Sequence, residues 1–195
     1  MTPDGSAEER VRGFARACVQ SGLMTAEEVQ AEVVEVIGAE LPERAAQADE
    51  LAATWVVEAH DGLRADQRDW PESTDHDRLQ SAFSEMEMLD VSVVQGCEDH
   101  AAAQRVVDES VAAGAGLRGV LWFTRADVWH AVDEGVLEMS LWPGDAARSS
   151  ATAEPVPDDE LRADVLGVLE KHGLRAVTEE GRVVVDAHWQ RRIST

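Results

Sequence analysis

Four groups capable of chemistry stand in a row in the segment WPESTDHDRLQSAF, residues 70–83. They are Asp75, His76, Asp77 and Arg78, and neighbouring carboxylates and imidazoles occur in both catalytic and metal-binding sites. The side chains of consecutive helical residues point about 100° apart, so these groups diverge and cannot all reach one ion. Ligands on one helix require a spacing of three or four residues, which no pair of potential ligands has here.

A helix cap explains the same segment more simply. In a capping box, a Thr side chain accepts a hydrogen bond from the backbone N–H three residues on, and the acidic side chain at that position accepts one from the backbone of the Thr. The chain shows this pattern at Thr25 with Glu28, Thr74 with Asp77, and Thr124 with Asp127. We therefore interpret Asp75, Asp77 and Arg78 as the polar first turn of a helix, and as weak catalytic candidates if other segments complete a site.

The segment GCEDH holds the second group of candidates. Cys97 and His100 have a Cys-x-x-His spacing that zinc sites use, but a structural zinc site needs four ligands and no second Cys/His pair is present, so no metal is predicted. Cys97 near a helix N-terminus is also a potential nucleophile, with His76, His130 or His188 as its base. The simpler alternative is a half-buried cysteine whose acidic neighbours raise its pKa.

The charge of the chain is strongly one-sided. It carries 39 acidic and 17 basic residues, for a net charge of −22. Such a surface repels nucleic acid and anionic membranes and attracts basic proteins or divalent cations. We predict no nucleic-acid or membrane binding, no cofactor, and a basic protein as the partner, with solubility alone as the alternative role of the charge. The composition does not fix an oligomeric state.

Three further observations indicate a soluble cytoplasmic protein. The N-terminus lacks a basic stretch followed by an apolar core, which a secretion signal requires. No apolar run approaches the roughly 20 residues that span a bilayer. The two cysteines are far apart and do not suggest a disulfide framework.

The hydrophobic pattern divides the chain into two parts. Residues 1–68 show helical periodicity throughout and predict three helices, the third opened by Pro42 with Ala45 on its apolar face. Residues 60–72 are polar and contain Gly and Pro, so we predict a boundary there, with His60 in the linker.

Residues 69–195 alternate helices with short strands. The predicted helix after Thr74 has Leu89 on its buried side, and a loop is predicted over residues 145–159. The final strands predict a β-hairpin that turns at Glu180 and Gly181. We therefore predict an α+β protein, in which a helical N-terminal region packs on a sandwich-like α/β domain with a mixed sheet.

Several segments resemble a bacterial family of uncharacterised proteins, a domain of unknown function. They are WPESTDHDRLQSAF, LRGVLWF, LEKHGLRAV and the closing HWQRR, and they cover residues 68–192. The resemblance implies no activity. In the family pattern, a cysteine-rich segment follows the first strand, where this chain keeps only Cys97. A polar stretch follows the Arg-Gly strand, where only Asp127 corresponds. A family site built from those residues would be lost here.

These observations favour a non-enzymatic, acidic protein-interaction or regulatory module, because no complete catalytic constellation accompanies the charge. The alternative is a small hydrolase or metal-binding enzyme that uses Asp75, Asp77, Cys97, His100 or Asp127. That enzyme requires these residues to converge in space. A third interpretation, a small-molecule binder with a Trp-lined face, has no motif to support it.

Overall fold

The computed structural model describes residues 6–114, 116–144 and 159–193. The predicted loop at 145–159 therefore lies outside the described residues except for its last position. The chain forms two compact units, the first of Met1–Glu72 with Gln190–Thr195 and the second of Ser73–Trp189. The fold is α+β, as predicted. Among the described helices, none combines the length and apolar character that crossing a bilayer requires.

The first unit is helical. It contains α1 Ala7–Ser21, α2 Ala26–Glu40, a 3-10 turn Pro42–Gln47 and α3 Ala48–Asp66. Apolar residues at helical spacing face inward because this removes their surface from water. The buried set includes Val11, Ala15, Cys18, Val29, Val33, Ile37, Ala52, Trp55, Ala59 and Leu63.

Three details of the helix predictions are wrong. Pro42 opens a 3-10 turn rather than the third helix, and Ala45 in that turn is exposed. His60 lies inside α3 rather than in a linker, because the helix continues through Gly62 to Asp66. Leu89, predicted to be buried, is 38% exposed, because the helix Asp75–Met88 has ended and the chain turns at Asp90 with a positive φ of 60°.

The basic C-terminal segment belongs to the first unit. The Arg191 Nη1 donates to the carbonyl of Gly22, which follows α1. The Arg192 guanidinium donates to the carbonyls of Gln67 and Pro71. Both arginines therefore bind main-chain oxygens at the ends of helices or turns, where carbonyl groups lack helical partners.

Within its described residues, the second unit combines four helices with five strands. The helices are α4 Asp75–Met88, α5 His100–Ala113, α6 Arg125–Asp133 and α7 Asp159–Lys171; the strands are β1 Val91–Cys97, β2 Gly119–Thr124, β3 Val136–Pro143, β4 Arg175–Glu179 and β5 Arg182–Asp186. The sheet order is β1-β2-β3-β5-β4. β1 and β2 are parallel and the other pairs are antiparallel, so the sheet is mixed, as predicted.

The hairpin between β4 and β5 is also confirmed. Its turn residues Glu180 and Gly181 have φ values of 49° and 85°. A two-residue turn with positive φ at both positions matches the twist of antiparallel strands, and Gly adopts that conformation without a Cβ clash.

Strand β2 is an interior strand of the sheet, between β1 and β3. Val120, Leu121, Trp122 and Phe123 are all buried, so apolar side chains pack on both faces of this strand. Val120 and Trp122 pack with residues of α5, whereas the Phe123 ring lies 5.8 Å from the ring of Trp189. A strand buried on both faces explains the continuous apolar run in the sequence.

All three predicted Thr capping boxes are present, and Ser6 with Glu9 forms a fourth that the sequence reading missed. The box at α4 is distinct, because Thr74 is fully buried. Its Oγ1 accepts from Asp77 N at 3.2 Å and also lies 3.0 Å from Asp77 Oδ2, to which it donates. Thr25, by contrast, is exposed.

We expect Thr74→Ala to lower the free energy of unfolding more than Thr25→Ala. Loss of a cap costs about 0.5–2 kcal/mol, and the buried Thr74 should reach the upper part of that range because Asp77 also loses a donor. Urea unfolding followed by tryptophan fluorescence measures both variants. An equal or larger loss for Thr25→Ala would contradict the argument from burial.

Candidate functional site

Cys97 lies at the end of β1, opposite Thr124 at the end of the parallel strand β2. Its side chain belongs to a buried cluster with Trp122 and Trp142. The Sγ lies 3.3 Å from the carbonyl oxygen of Phe123, to which the thiol donates. Burial raises the pKa of the Cys97 thiol, and the negative charges of Asp99 and Asp127 raise it further. The thiol is therefore protonated at neutral pH and is a poor nucleophile.

Asp127 is the candidate residue whose charge reaches Cys97. Its Oδ2 accepts from the backbone N and from the Oγ1 of Thr124, both at 2.7 Å. Its Oδ1 accepts from Arg182 Nη2 at 3.0 Å, and Arg182 Nη1 donates to Glu138 Oε2 at 2.7 Å. Both carboxylate oxygens of Asp127 thus hold hydrogen bonds that join α6 to β5, which suits a structural role.

The candidates in the α4 segment hold local structure as well. Asp75 Oδ1 accepts from Arg78 Nη1 at 3.2 Å, and its Oδ2 accepts from the backbone N of His188 at 3.2 Å. Asp77 Oδ2 accepts from the Thr74 backbone N at 2.9 Å. Asp75 therefore ties the start of α4 to the chain after β5.

His100 and the other histidines occupy separate environments. The His100 ring lies 6.3 Å from the ring of Trp142, and the His76 ring packs edge-on against Trp189 at 4.8 Å. His130 Nε2 lies 3.1 Å from Glu134 Oε2, four residues on in the chain. In the part of the chain that the structure describes, no three His, Cys, Asp or Glu side chains are placed to hold a metal ion.

The Trp-lined face carries an unusual polar group. Trp122 and Trp142 pack edge-on, with ring centroids 5.3 Å apart. The indole Nε1 of Trp122 is buried and has no hydrogen-bond partner among the described residues. Such a donor costs free energy when it is removed from water. The sequence does not predict this unpartnered donor. A hydrophobic pattern shows that Trp122 is apolar, but it does not show which groups surround the indole nitrogen.

Two charged groups were missed by the sequence reading. One is Arg182 with Glu138, described above. The other joins α4 and α7: Glu85 accepts from Lys171 Nζ at 2.7 Å and lies 3.0 Å from His172 Nε2. Both groups link residues far apart in the chain. For the first group, the only signal in the sequence is a charged residue within an otherwise apolar strand. For the second group, it is a single lysine at the end of a helix.

The Glu85 group should make stability depend on acid pH. Hydrogen bonds from Lys171 and His172 lower the pKa of Glu85 from its ordinary value of 4.5. A lowered folded-state pKa stabilises the fold above the unfolded-state value, and this contribution is lost as pH falls through the folded-state pKa. We expect Glu85→Gln to lower the free energy of unfolding at pH 7. Below the folded-state pKa of Glu85, the variant should be as stable as the parent protein.

The matched control is Glu87→Gln, which removes an exposed carboxylate two residues away on the same helix. Urea midpoints measured from neutral pH to about pH 3 compare the three proteins across the unfolded-state pKa. A difference between parent and Glu85→Gln that persists unchanged at the lowest pH would rule out the carboxylate as its source.

A second expectation concerns the thiol of Cys97. Its ¹³Cβ chemical shift, followed by NMR against pH, should titrate above the midpoint of the same cysteine in the protein unfolded in guanidinium. Asp99→Asn should lower that midpoint and keep the helix cap, because Asn caps as well as Asp. Glu98→Gln, the adjacent control, should leave it unchanged. A midpoint below that of the unfolded chain would contradict the assignment.

Comparison with known proteins supports the resemblance seen in the sequence. The family model for a domain of unknown function, DUF6891, matches residues 4–193, which is nearly the whole chain. No curated protein and no solved structure matches. The family match covers both compact units, including the helical N-terminal residues that the sequence resemblance did not reach. The protein is therefore a member of the DUF6891 family.

Proposed function

We propose that this protein is a non-enzymatic, acidic module that binds a basic protein partner. The observation that supports it is how the few basic side chains are used. Ion pairs within the molecule engage most of those in the described residues: Arg10, Arg12, Arg16, Arg44, Arg64, Arg78, Arg118, Arg125, Arg162, Lys171, Arg175 and Arg182. Most of these basic residues are thus already paired within the molecule, and 39 acidic residues against 17 basic ones leave many carboxylates without such a pair.

Helix α2 concentrates this excess. It contains no basic residue. Glu27 and Glu35 are exposed and Glu32 is half-buried, and none of the three has an ion-pair partner among the described residues. Glu28, which also serves the helix cap, lies four residues before Glu32. Like charges at this spacing destabilise a helix by roughly 0.2–0.5 kcal/mol.

A basic partner would relieve this repulsion. Its cations would lie beside the α2 carboxylates and replace the missing intramolecular pairs, and opposite charge would accelerate the encounter. Exposed pairs of this kind are screened by salt, so binding should weaken as ionic strength rises. We propose that this interaction takes place in the cytoplasm, where the two free cysteines, Cys18 and Cys97, would stay reduced.

The test compares two variants that remove the same number of charges. Glu27→Gln, Glu32→Gln and Glu35→Gln together neutralise the α2 surface. Glu109→Gln, Glu170→Gln and Glu179→Gln neutralise three exposed carboxylates of the second unit, none with an ion-pair partner among the described residues. A partner is first identified by native mass spectrometry of the protein recovered gently from its host cells. Its affinity for the parent protein and both variants is then measured at two salt concentrations.

We expect the partner to be basic, and the α2 variant to bind it at least about tenfold more weakly while the control changes little. Affinity should also fall with added salt. Equal weakening of the two variants would show that total charge, rather than α2, governs binding. Binding no stronger than that of a scrambled acidic chain, or insensitive to salt, would overturn the proposal.

A further inference from the structure

We propose that a pocket in the first unit binds small organic carboxylates. The pocket has a volume of about 220 Å³ and lies among α1, α2, α3 and the C-terminal segment. Its lining comprises Cys18, Val19, Gly22, Met24, Ala26, Val29, His60, Arg191 and Ile193. This function is separate from partner binding by the acidic surface, and either can fail without the other.

The residues that line the pocket differ in charge from the rest of the chain. The sequence has 39 acidic residues among 195, yet none of the residues that line the pocket is acidic. The two titratable nitrogen-bearing side chains of the lining are Arg191 and His60. An anion that approaches this otherwise acidic protein therefore meets a cation here with no carboxylate in the wall to oppose it.

Arg191 offers the chemistry that a carboxylate requires. A guanidinium has five N–H donors in a planar fork, which suits the two oxygens of a carboxylate. The hydrogen bond to the Gly22 carbonyl uses the Nη1 and fixes the side chain across the end of α1. Gly22 has a φ of 59°, and a side chain there would collide with the guanidinium. The remaining donors are held in place before a ligand arrives.

His60 supplies a second polar group from α3. It is half-buried, and the structure records no ion pair or hydrogen bond for it among the described residues. An imidazole N–H donates to a carboxylate oxygen in either its neutral or its charged form. Arg191 and His60 thus line the pocket from separate segments, and each brings at least one N–H donor.

The rest of the wall is apolar and sets the size of the ligand. Val19, Val29, Met24 and Ile193 suit a hydrocarbon or aromatic body, and Met adapts its shape to the occupant. A cavity of about 150 Å³ accommodates benzene. By the same ratio, the present volume suits about nine non-hydrogen atoms, the size of benzoate or a short fatty acid.

The experiment uses the full-length protein with benzoate and benzamide, which have nearly the same shape but differ in charge. Ligand-observed NMR and thermal shift measure binding of each. We expect benzoate to bind at least about tenfold more tightly than benzamide, because a charge-assisted bidentate contact exceeds a neutral one. Arg191→Gln should remove this preference, and His60→Gln should reduce it.

Two variants separate the pocket from general effects on the fold. Arg192→Gln alters the adjacent arginine, which does not line the pocket, and should bind benzoate as the parent protein does. Ala26→Leu keeps Arg191 and fills the pocket from α2, so it should lose binding of both compounds. Equal affinity for benzoate and benzamide, retained binding in Ala26→Leu, or no benzoate binding at about 10 mM would overturn the proposal.

Discussion

The chain has only 17 basic side chains for 39 acidic ones. The contacts of these few basic side chains help to hold each of the two units together. In the second unit, Lys171 reaches across 86 residues to Glu85, and Arg182 reaches across 55 residues to Asp127. In the first, Arg191 and Arg192 attach the C-terminal segment to main-chain carbonyls. Ion pairs at an exposed surface contribute little individually. The pairs of Lys171 and Arg182 matter through their position, because each joins two distant segments of an acidic chain through a cation beside a carboxylate.

The acidic residues have structural uses of their own. Four helices in the described parts of the chain begin with a capping box whose fourth residue is Glu or Asp, and a negative charge at a helix N-terminus also interacts favourably with the helix dipole. The same arrangement accounts for Asp77 and Asp127, which the sequence offered as candidates for catalysis. Their oxygens hold the starts of α4 and α6, and the geometry of Asp127 extends this role to β5 through Arg182. The carboxylates of Asp77 and Asp127 thus hold hydrogen bonds that stabilise local structure.

Short sequence patterns predicted much of this fold, because helix capping and strand formation depend on residues that are close together in the chain. The Thr-x-x-acid spacing anticipated three caps, and the final apolar segments anticipated the β-hairpin that turns at Glu180 and Gly181. His60 was misplaced because Gly62 suggested a break, whereas Ala59 and Leu63 pack inside and outweigh the roughly 1 kcal/mol cost of a helical glycine. The contacts of Glu85 and Arg182, and the pocket around Arg191, could not be predicted. They depend on which distant segments meet, and no spacing within one segment encodes that.

The contact between Lys171 and Glu85 has a practical consequence for chemical labelling. Lys171 is the only lysine in the chain, so it is the only side-chain amine available for conjugation. Its side chain is 65% exposed, which leaves the nitrogen open to an acylating reagent. Acylation would remove the positive charge and one donor to Glu85. A fluorophore attached there would sit at the junction of α4 and α7, and the reaction would weaken the contact that it reports on.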